Sequence, residues 1–109
     1  MLNSSEKKIA LKALEWYGKT AQCVKTIEEL AELQQAIAKW LNYSELVTAD
    51  KHIELCNNIV EEIADCYIML EQIKTVFDSY ATKDTSVFIM LKTDRLYERL
   101  TEEREKEYD

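Results

Sequence analysis

Apolar residues recur with the period of an α-helix along nearly the whole chain, and polar residues fill the opposite faces. This pattern predicts four helices. We expect the first over residues 5–17 and the second over residues 20–42. A cap at Thr48 or Asp50 begins the third, which ends near residue 78 or 80, and the fourth runs from residue 85 or 86 to residue 106. Polar stretches at 42–48 and 78–85 connect the later helices, and we expect the charged residues 102–109 to fray or protrude.

The ends and faces of these helices carry recognisable signals. Ser4 or Ser5 is expected to cap the first helix, with Glu6 in its first turn and Gly18 as its stop. The second helix has an apolar stripe that we expect to pack into the core, formed by Ile27, Leu30, Leu33, Ile37, Trp40 and Leu41.

The third helix is apolar almost all round between residues 56 and 77, which is typical of a helix buried on most sides. Glu62 and Asp65 nevertheless lie in it. A buried carboxylate has to be protonated, paired with a cation or bound to a metal, because an unpaired buried charge costs several kcal/mol. The lysines of this helix, Lys51 and Lys74, lie turns away, so the pattern favours a metal.

Composition supports one small all-α domain over residues 1–109. A single glycine and no proline leave few turn-formers, which favours long helices joined by short loops. The formal charge of −7 argues against a nucleic acid polymer or an anionic membrane as partner. It leaves a phosphate substrate possible, because bound divalent cations invert the local charge.

The cysteines give no sign of a disulfide framework. Cys23, Cys56 and Cys66 are odd in number and lie in apolar helical sequence, as expected of small hydrophobic residues in a reducing compartment. His52 and Cys56 share a helix face, but two ligands do not make a zinc site. With no signal peptide and no apolar run near the roughly 20 residues that span a bilayer, we expect a cytoplasmic protein without a membrane partner.

Two acidic signatures repeat the order Glu-Glu-x-Ala-acid, at residues 28–32 and 61–65. Acids three residues apart share one face of a helix, so two such helices side by side would offer a cage of oxygen ligands that suits Mg²⁺. A solvated polar face is the ordinary alternative. Against it, Glu28 with Glu32 and Glu61 with Asp65 are like-charge pairs that destabilise a helix by a few tenths of a kcal/mol each.

These signatures and their flanks resemble the MazG-like all-α nucleoside triphosphate pyrophosphohydrolases, especially the small phage and bacterial members. The likeness covers residues 16–100 and includes Tyr17-Gly18, Gln22, both acidic signatures, residues 66–72, and Lys92, Arg95, Leu96, Arg99 and Leu100. It implies a four-to-five-helix bundle that cleaves (deoxy)nucleoside triphosphates into monophosphate and pyrophosphate. By that resemblance the Mg²⁺ ligands, with Mn²⁺ as a substitute, are Glu29, Glu32, Glu62 and Asp65.

The remaining site residues follow from what such a reaction requires. Glu28 is the first candidate to orient or deprotonate the attacking water, and Glu61 is the second. Cationic side chains are needed to stabilise the negative charge of the phosphates. An aromatic ring could stack on the base, and an amide could bind phosphate or sugar. The substrate-binding candidates are Lys39, Asn58, Trp40, Lys92 and Arg95. Each has an ordinary alternative: a lysine stem covering apolar surface, a surface ion pair, an amide bonded to Glu62, or an aromatic ring in the core.

Four amphipathic helices in so short a chain indicate a core completed by a second copy, in a homodimer or homotetramer. Other functions remain open from the sequence. A non-catalytic helical interaction module would make the carboxylates incidental, and a regulatory protein could bind nucleotides without cleaving them. A di-iron bundle is disfavoured because its Glu-x-x-His motif is absent around His52, which is the only histidine.

Overall fold

The computed structural model describes residues 1–43 and 48–108, which fold into α-helices with no strand among them. The all-α class is therefore confirmed. The helices are α1 (Ser4–Tyr17), α2 (Lys19–Asn42), α3 (Ala49–Asp78) and α4 (Thr85–Tyr108). These bounds lie within two residues of the expected ones. The predicted connection 42–48 falls partly outside the described residues.

Side-chain caps fix where three of the helices begin. Asn3 caps α1, accepting the Glu6 backbone N–H at 2.9 Å while the Glu6 carboxylate accepts the Asn3 N–H at 2.7 Å. The expectation of Ser4 or Ser5 was wrong because this reciprocal capping box begins one residue earlier. Thr48 caps α3 as expected, since its hydroxyl accepts the Lys51 N–H at 3.2 Å. Asp84 caps α4 in the same way, through the Val87 N–H at 3.1 Å.

Gly18 alone joins α1 to α2. Its φ of 91° lies in the region that favours glycine, and its N–H donates to the Leu14 carbonyl at 2.9 Å. Its own carbonyl accepts the Gln22 N–H at 3.1 Å, so one residue ends the first helix and starts the second. The predicted stop is confirmed.

Helices α2 and α3 run antiparallel and contact each other along most of α2. Gln22 Nε2 donates to Gln72 Oε1 at 2.8 Å. Further along α2, Cys66 Sγ donates to the carbonyl oxygen of Glu29 at 3.5 Å. Residue numbers thus rise on α2 as they fall on α3. The two contacts are seven residues apart on α2 and six residues apart on α3, or about two helical turns on each helix.

The face of α2 that meets α3 is more polar than expected. Its buried residues are Gln22, Thr26, Glu29 and Ala36, and Leu33 is half-buried. These positions form a stripe offset by about one residue from the predicted apolar stripe, and either stripe satisfies helical spacing. The polar stripe can be buried because Gln22 bonds to Gln72 and the Thr26 hydroxyl bonds to the Gln22 carbonyl at 2.7 Å.

The predicted apolar stripe of α2 is instead largely exposed, so that expectation was wrong for the single chain. Ile27 is 68% exposed and Leu41 67%. Helix α3 is likewise open on one side, where Val60 is 64% exposed, although it was expected to be buried on most sides. The buried apolar residues are few: Ala10, Leu55 and Met69, together with Ala36 and Cys66, carry the core.

The chain divides into two compact units, residues 1–75 and residues 76–109. The first holds α1, α2 and most of α3. In the second, the Thr85 backbone N–H and hydroxyl both donate to Asp78 Oδ1, at 2.8 and 2.6 Å, which fixes the turn into α4. No helix in the described part of the chain is both long and apolar enough to cross a membrane.

The buried amide pair generates a test of the fold. In Gln72→Met the Gln22 amide loses its partner, and we expect a loss of about 1–3 kcal/mol in the free energy of unfolding, because an unsatisfied buried amide costs that much. The double variant that combines Gln22→Met with Gln72→Met removes both amides and should regain most of the lost stability. The exposed Gln35→Met should change stability by less than about 0.5 kcal/mol. Urea unfolding measures all three, and equal losses in the single and double variants would contradict the pair.

Candidate metal centre

Three carboxylates converge where α2 crosses α3. One oxygen from each of Glu29, Glu32 and Glu62 lies within 4.8 Å of the others. Glu29 is only 7% exposed, Glu62 is half-buried and Glu32 is exposed, so the cluster opens to solvent on one side. Asp65, the fourth predicted ligand, is half-buried one turn beyond Glu62 on α3.

Helix geometry explains the convergence. Glu29 and Glu32 are three residues apart and so share a face of α2. Cys66 lies opposite Glu29, and the helices are antiparallel. Glu62, four residues before Cys66, therefore lies about four residues further along α2, at the level of Glu32. The two acidic signatures therefore meet because the helices run in opposite directions.

Lys25 is the cation closest to the cluster, and the sequence reading missed it. Its Nζ lies 3.0 Å from Glu29 Oε1 and 4.0 Å from Glu28 Oε2. Spacings of three and four residues on one helix are the signal that could have found it. It pairs with one oxygen of Glu29, and the other oxygen is buried without a hydrogen-bond partner among the described residues.

Two buried oxygens of the cluster, Glu29 Oε2 and Glu62 Oε2, have no hydrogen-bond partner among the described residues. Burial raises the pKa of Glu62 above its ordinary value of 4.5, and the negative charges of Glu32, Asp65 and Glu29 raise it further. The cluster is therefore short of positive charge even with Lys25 in place. A proton shared between carboxylates or a bound cation would relieve this excess of negative charge.

The donor set fits a hard divalent cation. All candidate ligands are carboxylate oxygens, and two of them are buried without a partner, which is where a cation would regain the lost solvation. The neighbouring thiol is unsuited to a thiolate site, because burial and the nearby acids raise the pKa of Cys66 and its Sγ donates to a backbone carbonyl. The residues present thus fit Mg²⁺ or Mn²⁺ better than zinc.

A polar groove of about 520 Å³ is lined by Lys39 near the C-terminus of α2 and by residues 50–61 of α3, and its lining residue Glu61 precedes Glu62 of the cluster in sequence. It brings together three predicted site residues, Lys39, Asn58 and Glu61. Lys51, which the sequence reading did not select, lines it as well and pairs with Glu54 at 3.3 Å. The groove is therefore a polar cleft with two ammonium groups on its walls.

A second cavity of about 480 Å³ lies between α1, α2 and α3. Glu28 lines it, with its side chain 60% exposed and outside the three-carboxylate cluster. The two candidates for the water-activating base are thus separated, because Glu28 faces this cavity and Glu61 faces the groove.

Trp40, another predicted substrate contact, bonds to a histidine. The Trp40 indole N–H donates to His52 Nε2 at 3.3 Å, and the two rings lie 6.4 Å apart. His52 Nε2 also lies 3.8 Å from Cys56 Sγ. These two residues are too few ligands for a zinc site. Lys92 and Arg95 are exposed on α4, in the second unit of the chain.

Comparison of the chain with protein-family models, with curated proteins and with solved structures gives no match. The function of the acidic cluster has to follow from its own geometry and charge.

The raised pKa of Glu62 predicts how stability changes with pH. Between pH 4.5 and the raised pKa, the folded chain binds more protons than the unfolded chain, so metal-free stability falls as pH rises through this window. Glu62→Gln removes the effect. We expect the variant and the parent to have similar stability below pH 4.5, and the variant to be increasingly the more stable as pH rises towards neutrality. Urea unfolding in chelator at several pH values measures this, and a pH-independent difference would contradict it.

Proposed function

We propose that this protein is a Mg²⁺-dependent nucleoside triphosphate pyrophosphohydrolase of the MazG-like type, which cleaves (deoxy)nucleoside triphosphates in housekeeping of the nucleotide pool. The observation that carries the proposal is the pair of buried, unpartnered carboxylate oxygens on Glu29 and Glu62, set in a cluster with Glu32. A cluster that served only as surface would be solvated and would not leave such oxygens buried.

Glu29, Glu32, Glu62 and Asp65 would hold the cation. When bound, it would neutralise the cluster and the phosphate oxygens and would help to orient the α-phosphate. Cation binding would also displace the proton that the raised pKa of Glu62 favours, so that affinity should increase with pH. Lys25 keeps Glu29 in place through its 3.0 Å ion pair without occupying the inner oxygen.

In this proposal the residues that line the groove would assist the hydrolysis. A water oxygen attacks the α-phosphorus, the bond from that phosphorus to the α–β bridging oxygen breaks, and pyrophosphate leaves with the electron pair. Glu61, which lines the groove, would accept the proton of that water. Lys39 and Asn58, on the same walls, would contact the leaving phosphates. Lys92 and Arg95 stay candidates for phosphate binding by the resemblance and the sequence alone.

We further propose that two copies associate through the exposed apolar stripe of α2, giving a homodimer or a pair of dimers. This stripe comprises Ile27, Leu30, Ile37 and Leu41, which are 41–68% exposed. Their spacings of three, seven and four residues place them on one face of the helix, as in a helix-packing seam. By helical position the stripe lies on the flank of α2 away from Glu28, Glu32 and Lys39, so pairing would leave the acidic cluster open to substrate.

Turnover tests the proposed function. We expect Mg²⁺-dependent conversion of at least one nucleoside triphosphate or deoxynucleoside triphosphate to the monophosphate and pyrophosphate, measured by chromatography of the products. Glu62→Gln should lower kcat at least about 100-fold, because it removes a cluster ligand needed for charge neutralisation. Glu15→Gln, an exposed acid on α1, is the matched control and should keep parental turnover.

Two results would sink this proposal. Orthophosphate with a diphosphate product would exclude cleavage between the α- and β-phosphates. Full turnover in Glu62→Gln would show that the activity does not depend on the acidic cluster. No turnover of any nucleoside triphosphate or deoxynucleoside triphosphate would favour a non-catalytic helical module.

Sedimentation tests the apolar stripe. The chain has a mass of 12.8 kDa, and we expect the parent to sediment as a dimer or larger. Ile37→Glu places a charge on the stripe and should shift the protein to the monomer mass. Gln35→Glu adds the same charge two residues away on another flank of α2 and should leave the oligomer intact. Equal masses for the two variants would contradict this use of the stripe.

A further inference from the structure

We propose that the cavity between α1, α2 and α3 binds the base of the nucleotide, recognised at its edge by the Gln22–Gln72 amide pair. This rests on the proposed function, because the cavity is assigned to one end of the same substrate. The cavity belongs wholly to residues 1–75, the first compact unit.

Size and lining fit an uncharged planar heterocycle. About 480 Å³ is within the range of about 300–1,000 Å³ for small-molecule pockets. The walls are mainly apolar, from Ala13, Ala21, Val24, Ile68 and Met69. Tyr17 lies at the same cavity and adds a ring with a hydroxyl group. An apolar slot with few polar groups suits the faces of a base and is a poor site for phosphate.

The cavity is also lined by the amides of Gln22 and Gln72 and by two charged side chains, Lys25 and Glu28. Gln72 is 1% exposed and Gln22 is 7% exposed, and the bond between them uses one donor of Gln22 and one acceptor of Gln72, while Gln72 Nε2 donates to Met69 Sδ at 3.8 Å. Each amide carries both functions, so the pair retains a Gln22 oxygen as acceptor and N–H groups as donors. An amide that keeps a donor and an acceptor can pair with the edge of a base, as Asn and Gln side chains do with adenine.

The order of features along α2 sets the direction of the substrate. Lys25, Glu32 and Lys39 are seven residues apart in turn and so follow one side of the helix. Lys25 borders the cavity, Glu32 belongs to the acidic cluster and Lys39 lines the groove. A base in the cavity would therefore place the α-phosphate at the cluster and the leaving phosphates towards Lys39.

The groove is the less suitable end for a base. Two lysines and several acids line it, and those charges would be poorly solvated beside an aromatic ring. Trp40, which the sequence offered as a stacking partner, already donates to His52 and is not among the lining residues of the groove.

Nucleosides without phosphate test the cavity in the absence of Mg²⁺, whether or not the protein hydrolyses triphosphates. We expect at least one of uridine, cytidine, adenosine and guanosine to shift the side-chain amide NMR signals of Gln22 and Gln72 at millimolar concentration. Ala21→Leu fills the cavity wall and should abolish the shifts. Ala38→Leu makes the same change at an exposed site on α2 and should keep them. Shifts at Asn58 and Trp40 instead, or none with any nucleoside, would overturn the proposal.

Kinetics separate this inference from the proposed function. If triphosphates are hydrolysed, Ala21→Leu should raise KM for the preferred nucleotide about tenfold or more, while binding of inorganic triphosphate with Mg²⁺ is unchanged. The double variant Gln22→Met, Gln72→Met should reduce discrimination between bases by about tenfold or more without loss of folding. Unchanged KM and unchanged base preference in both variants would overturn the base site and leave the hydrolase proposal intact.

Discussion

Mutual repulsion among the clustered carboxylates of α2 and α3 is the constraint on which the rest of this structure depends. Glu29, Glu32 and Glu62 present oxygens within 4.8 Å of one another, and two of those side chains keep a buried oxygen without a partner. Lys25 compensates only one oxygen of Glu29. The raised pKa of Glu62 is the measurable sign of the remaining imbalance. Groups with strongly perturbed pKa values are common at functional sites. Carboxylates that repel one another would bind a cation tightly, because the cation removes the repulsion.

Much of the fold could be predicted from the sequence because local signals decide it. Helical spacing, the Thr48 cap and the Gly18 stop are read within a few residues, and the structure reproduces them. The convergence of the two acidic signatures also followed from spacing, since acids three residues apart share a face. The meeting of Glu29 and Glu32 with Glu62 needed only the further fact that α2 and α3 are antiparallel.

The rest depends on neighbours that spacing does not specify. Helix α2 has two stripes about one residue apart, and apolar content favoured the one with Ile27 and Leu41, which proves to be exposed. The buried stripe could not be identified because its stability rests on a hydrogen bond to Gln72, fifty residues away. Lys25 was missed for a different reason: its spacing to Glu29 was readable, but only burial makes that ion pair important. The cavity beside Gln22 exists only once α1 packs against both longer helices.

Cation binding to the acidic cluster is the central claim, and electron paramagnetic resonance of Mn²⁺ tests it most directly. The signal of free Mn²⁺ should fall as parental protein is added and should return when Mg²⁺ competes for the same oxygens. Glu62→Gln should weaken Mn²⁺ binding at least about tenfold, whereas Glu15→Gln should bind as the parent does. Equal binding by the parent and by Glu62→Gln would show that the cluster holds no cation.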